Sequence, residues 1–180
     1  MEAKRVGLLH ELVPGGSLLG ALINPNFLPA ADQLNDIENA VRSIQRELVV
    51  ARADTDAQLD AAFAIFAGQR VGAALVAASP FFDTRRNRII GLAAQYRIPA
   101  IYQFREFALA GGLISYGPRL ADSYKQAGIY VGRILRGAKP GDLPVVQPTR
   151  FELVINVKTA NALGLAIPNT MQLLADEVID

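Results

Sequence analysis

Four short polar clusters carry most of the chemistry open to this chain: Asn24-Pro25-Asn26, Asp54-Thr55, Ser79-Pro80-Phe81-Phe82-Asp83 and Tyr102-Gln103-Phe104-Arg105-Glu106. Each follows an apolar run. Together they supply amides, hydroxyls, carboxylates and aromatic faces, the groups that hold a small zwitterionic or aromatic metabolite. No activated nucleophile or matched acid–base pair accompanies them, so the set reads as a recognition surface rather than a reaction centre. Taken singly, each Asn, Asp or Ser is equally a turn or cap residue. The case for binding rests on the set, with Phe81, Phe82, Tyr102 and Phe104 beside the polar groups.

Other chemistries find little support. With 0 Cys and 1 His, disulfides, thiolate metal sites, cysteine nucleophiles and multi-histidine centres are excluded. Asp54 and Asp56 could join Asp83 around a metal, but they stand where helices begin, and no metal or cofactor is expected. His10 has no nucleophile beside it. Gly132-Arg133-Ile134-Leu135-Arg136-Gly137-Ala138-Lys139 lacks the Gly-Lys-Ser/Thr ending of a phosphate loop and closes a helix, where carbonyls point outward. Neither a Gly-x-Gly-x-x-Gly after a strand nor a Gly-x-Ser-x-Gly occurs. Arg85-Arg86-Asn87-Arg88 reads as a solvated helix face, with an anion contact as the alternative. Lys plus Arg number 18 against 17 Asp plus Glu, so no excess charge faces a phosphate backbone and no nucleic-acid partner is expected. At 51% hydrophobic residues, the chain has ample material for one core.

The elements that position these clusters follow from periodicity. Leu8, Leu9, Leu12 and Val13 mark one side of an N-terminal helix that Pro14-Gly15-Gly16 stops. Short apolar runs at 18–23, 47–53, 71–77 and 98–102 read as strands buried on both faces. Between them, the stripes Leu34/Ile37/Val41/Ile44, Leu59/Ala62/Phe63/Phe66 and Ile89/Leu92/Ala93/Tyr96 read as helices. Residues 79–83 are expected as a loop. The alternation predicts βαβ units and a parallel sheet whose strand ends converge on one edge, with adjacent helix N-termini favouring a carboxylate there. Beyond Phe104 the pattern predicts a short strand at 111–117 and a long helix at 118–136. An extended connection at 137–149 and a strand at 151–156 follow, then helical pieces near 157–163 and 170–177. No stretch reaches the roughly 18 consecutive apolar residues of a membrane span.

The stretch Ile98-Pro99-Ala100-Ile101-Tyr102-Gln103-Phe104-Arg105-Glu106-Phe107, followed by Gly111-Gly112-Leu113-Ile114-Ser115-Tyr116-Gly117, resembles the substrate-binding proteins of ABC transporters, in a branch that includes aromatic amino acid binders. The resemblance continues through Gly132–Pro144, Phe151–Ala160 and Ala162-Leu163-Gly164. Leu22-Ile23-Asn24-Pro25-Asn26 and Asp60-Ala61-Ala62-Phe63 match upstream. It implies a type I periplasmic-binding fold: two flavodoxin-like α/β lobes joined by a hinge, with a ligand enclosed between them. It divides the chain into an N-terminal helix (1–16), a C-terminal α/β ligand-binding lobe (17–117) and a segment (118–180) whose helix and strand pack on a first lobe. Carried over by position, it places ligand contacts at Asn24, Asn26, Ser79, Phe81, Asp83, Tyr102, Glu106 and Tyr116.

The implied function is non-covalent binding of a small metabolite such as an amino acid, with the membrane permease of an importer as partner. A regulatory sensor domain or a flavodoxin-like enzyme are the alternatives. Family members carry a signal or lipoprotein peptide and a whole first lobe before the segment that begins at Lys4. The chain is therefore expected to be a truncated member with a one-walled cleft. It would be periplasmic as the family is, but cytoplasmic as given because no export signal is read. Apolar residues left uncovered in 118–180 imply a homodimer through that segment.

Overall fold

The apolar run Leu18–Ile23 forms β1, flanked by β2 (Glu47–Arg52) and β3 (Ala73–Val76), with β4 (Ala100–Tyr102) and β5 (Ile114–Pro118) beyond. The structure, a computed structural model, describes residues 1–15 and 18–180; the expected segment boundary at Gly16 and Ser17 lies outside them. The first five strands are mutually parallel in the order β2-β1-β3-β4-β5. This is the flavodoxin-like order, which presents ligands with the carboxyl ends of the strands.

Helices α1 (Glu2–Leu12) and α2 (Ala30–Ser43) cover one face, burying Leu9 and Ile37 against Leu19 and Leu75. The other face is covered by α3 (Asp56–Gly68), α5 (Arg86–Gln95) and α6 (Arg105–Leu109), with Phe63, Phe66, Ile89 and Phe107 in its core. The returns into β2, β3 and β4 share one device. Gln45, Arg70 and Arg97 adopt φ of 55°, 57° and 53°, and the next amide reaches back to Val41, Phe66 and Ala93. These are Schellman closures built without glycine.

Several expectations are corrected. Residues 79–83 are not a loop: Ser79 caps α4 (Pro80–Thr84), accepting from the Phe81 amide, with Pro80 in the first turn where its missing N–H costs nothing. Helix α6 takes up the end of the polar cluster at 102–106. The sheet is not purely parallel. Strand β6 (Phe151–Asn156) pairs antiparallel with β5, and β7 (Glu177–Ile179), a strand that was not expected, follows at the end of the helical piece expected near 170–177.

The division into three segments also changes. Helix α1 belongs to the lobe's own core. So do β6, α8 (Val157–Leu163) and α9 (Asn169–Leu174), which contribute Leu153, Ile155, Ala160 and Met171 to it. Val154 is fully buried, so of the apolar residues expected to lie open on β6 only Phe151 does. The reason is register: β6 extends an existing sheet edge, which buries both its faces. Only α7 (Leu120–Leu135) and the connection after it stand apart, and α7 has no buried residue.

Candidate functional site

The ends of β1, β2 and β3 are tied by one chain of hydrogen bonds. The Asn24 amide donates to Ser79 Oγ at 2.8 Å, and that oxygen also accepts from the Phe81 backbone amide at 3.2 Å. Asn24 Oδ1 accepts from the Asn26 amide at 3.0 Å, and the Asn26 side chain donates to Asp54 Oδ2 at 2.6 Å. Asn24 and Ser79 are buried, so this network is rigid, while Asn26 and Asp54 bring it to solvent. Two polar residues on the opposite face close the same edge. Arg5 Nη1 donates to the Val76 carbonyl at 3.2 Å, and Gln33 Nε2 to the Ala78 carbonyl at 3.1 Å. Arg5 pairs with buried Glu2, and burial lowers the guanidinium pKa while raising that of the carboxyl.

Asp83 at the end of α4 lies close to Glu106 on α6. Burial first, and the Glu106 charge also, push the Asp83 carboxyl up to about 6; Arg86 opposes them. Glu106 Oε2 and Arg86 Nε are buried without a partner among the described residues, and the Arg86 guanidinium lies 5.9 Å from the centre of the Phe107 ring. The basic cluster therefore divides. Arg85 and Arg88 form exposed pairs with Asp56 and Asp60 at 3.2 and 2.5 Å, as a solvated face would. Arg86 turns inward toward the carboxylates. Phe81, half-buried beside them, lies 4.8 Å from the Arg85 guanidinium.

Two aromatic candidates stand elsewhere. Tyr102 is 1% exposed and stacks on Phe107 with ring centres 4.7 Å apart, so it faces the core beneath α6 rather than the edge. Strand alternation causes this: Tyr102 shares its face with Ser115, its parallel partner. Tyr116 lies on the opposite face, in the antiparallel pairing of β5 with β6, and stacks on Phe151 at 6.1 Å. Beside it, a Cβ on Gly117 would fall 2.0 Å from the Gln103 carbonyl, so β5 runs against the β4–α6 turn as only glycine permits.

Arg5, Gln33 and Arg86 were not singled out from the sequence as parts of this edge. A signal exists for each. Arg5 continues the stripe Leu8/Leu9/Leu12, Gln33 precedes Ile37 by four residues, and Arg86 precedes Ile89 by three. A polar residue on an apolar stripe near a helix end must find partners at the sheet edge. Among the described residues, no three His, Cys, Asp or Glu side chains gather as a metal-binding group.

A family model described as ABC transporter substrate binding protein matches residues 1–179. A conserved domain protein of Vibrio cholerae O1 biovar El Tor superposes with a TM-score of 0.88 at 23% identity, over 98% of this chain and 60% of that one. A Streptococcus pneumoniae ABC domain in complex with L-Trp gives 0.89 at 21% identity, over 99% and 62%. The ligand-free, open form of a Clostridium difficile substrate-binding protein with adhesive properties gives 0.70 at 17%, over 97% and 58%. The chain thus spans about three fifths of these proteins' length. No curated protein matches its sequence.

Proposed function

The chain belongs to the ABC transporter substrate-binding protein family, and from that premise we propose that the strand-end edge holds an amino acid, aromatic or branched, without transforming it. The observation that carries this reading is the juxtaposition of two unlike polar groups on one edge. The Asn24–Ser79 network, at the N-terminus of α4, offers donors for a carboxylate. The Asp83–Glu106 pair, with a carboxylate oxygen buried and unpartnered among the described residues, is short of positive charge and suits an ammonium group. Phe81 supplies an aromatic wall. The pneumococcal neighbour's complex with L-Trp supports an amino acid as the ligand class.

In this reading the protein delivers its ligand to the permease of an importer from the periplasmic side.

Isothermal titration with L-tryptophan, L-phenylalanine and L-leucine tests the reading. Saturable binding that weakens roughly tenfold in Ser79→Ala and Glu106→Gln supports it, with the ligand recovered unchanged by mass spectrometry. Consumption of the ligand, or titrations unaltered by both substitutions, would overturn it.

A further inference from the structure

We infer that the lobe carries a second small-molecule site, at the amino ends of β4 and β5, away from the strand-end edge. A mainly apolar cavity of about 590 Å³ opens there between the C-terminal ends of α5 and α6 and the body of α8. That volume lies within the range of small-ligand pockets. Its walls are fastened: the Asn156 side chain donates to the Ala108 carbonyl at 3.1 Å, and the Thr159 hydroxyl to the Gly111 carbonyl at 2.9 Å.

Tyr102 is the exception. The residue is 1% exposed and lines the cavity, and its hydroxyl is not one of the sealed, unpartnered polar atoms among the described residues, nor do their side-chain hydrogen bonds engage it. The ring is clamped between the stacked Phe107 and Gly112, where a Cβ would lie 2.7 Å from Tyr102 Cε2. Gly112 itself lines the cavity, so the hydroxyl, one atom beyond that ring edge, meets the cavity floor. A buried phenol normally finds a partner, and burial holds this one protonated. It is a donor waiting for an acceptor.

The ligand this chemistry fits is a small neutral molecule with an apolar, aromatic or branched body and a carbonyl at its inner end. A carboxylate carried to the floor would lose its hydration without gaining a charge partner. At the mouth, Arg97 and Lys158 stand with Asp180, a mixed rim that leaves room for a polar outer end. The site shares no ligand group with the strand-end edge, so its occupancy is independent of the proposed amino acid.

Nuclear magnetic resonance titration of the full chain with benzamide, and with toluene as the body lacking an acceptor, tests the proposal. Benzamide is expected to shift the Gly111, Gly112 and Thr159 amides saturably, leave Asn26 and Asp54 in place, and bind roughly fivefold tighter than toluene. Tyr102→Phe, which keeps the ring, should erase that preference while toluene still binds. Ala162→Trp, at the exposed mouth, should block both. Equal binding of the two probes to the unaltered chain, shifts confined to the strand-end edge, or no saturable shift would overturn the site.

Discussion

Helices α2 and α7 carry the same kind of amphipathic stripe and meet opposite fates. On α2, Ile37 is 0% exposed; on α7, Tyr124 is 74% exposed. The difference lies in what each helix returns to. Helix α2 connects adjacent parallel strands, so its crossover lays it on the sheet. Helix α7 hangs between β5 and β6, which are already neighbours in antiparallel register from Ile114↔Ile155 to Pro118↔Phe151. The chain leaves and re-enters the sheet at one point, and the excursion need not touch it. A stripe therefore establishes a helix and its apolar side, while the partner is a property of the topology.

Substitutions that separate the two regions sharpen the contrast. Phe63→Ala, in the sealed core where Phe63 meets Phe66 edge-on at 5.8 Å, should lose about 3–5 kcal/mol in urea unfolding. Val131→Ala on α7 should stay within about 0.5 kcal/mol in the same measurement. Equal losses would mean that α7 is covered in solution. Glu2→Ala leaves the Arg5 guanidinium buried and unpaired and should cost about 3 kcal/mol, most of it restored by adding Arg5→Met.

Asp83→Asn acts in the other direction. The folded carboxyl titrates at about 6 against an ordinary value of 3.8, so between those pH values the folded chain binds more protons than the unfolded one. Stability therefore falls as pH rises through the window, and the cost is complete above it. The amide should raise stability at pH near 7.5 by about 1 kcal/mol, a figure reduced for partial exposure, and change nothing near pH 3. Thermal melts at the two pH values check this. Gln45→Gly, relieving the left-handed backbone at φ 55°, should add about 0.5 kcal/mol, the smallest of the expected gains.

Much of the candidate edge was legible because strand ends in an alternating βα pattern have a known direction. Asn24, Asn26 and Ser79 could be placed together from sequence alone, since each follows a strand by one to three residues. Tyr102 could not. It is the last residue of its strand rather than one beyond it, the pleat turns it inward, and a strand of only Ala100–Tyr102 is too short for alternation to show which face is which. The inward turn of Arg86 was obscured for another reason: its neighbours Arg85 and Arg88 make the local composition look like solvent.

By itself, the sequence determined the parallel α/β lobe, because apolar runs of strand length and stripes of helical period are local properties that each segment carries with it. It determined as well which polar clusters terminate the strands. The tertiary structure alone decided that β6 joins this sheet, that α7 lies bare and that Tyr102 looks into a cavity. Each depends on a pairing between residues far apart in the chain, such as Gly117 with Glu152, whose register no local pattern encodes.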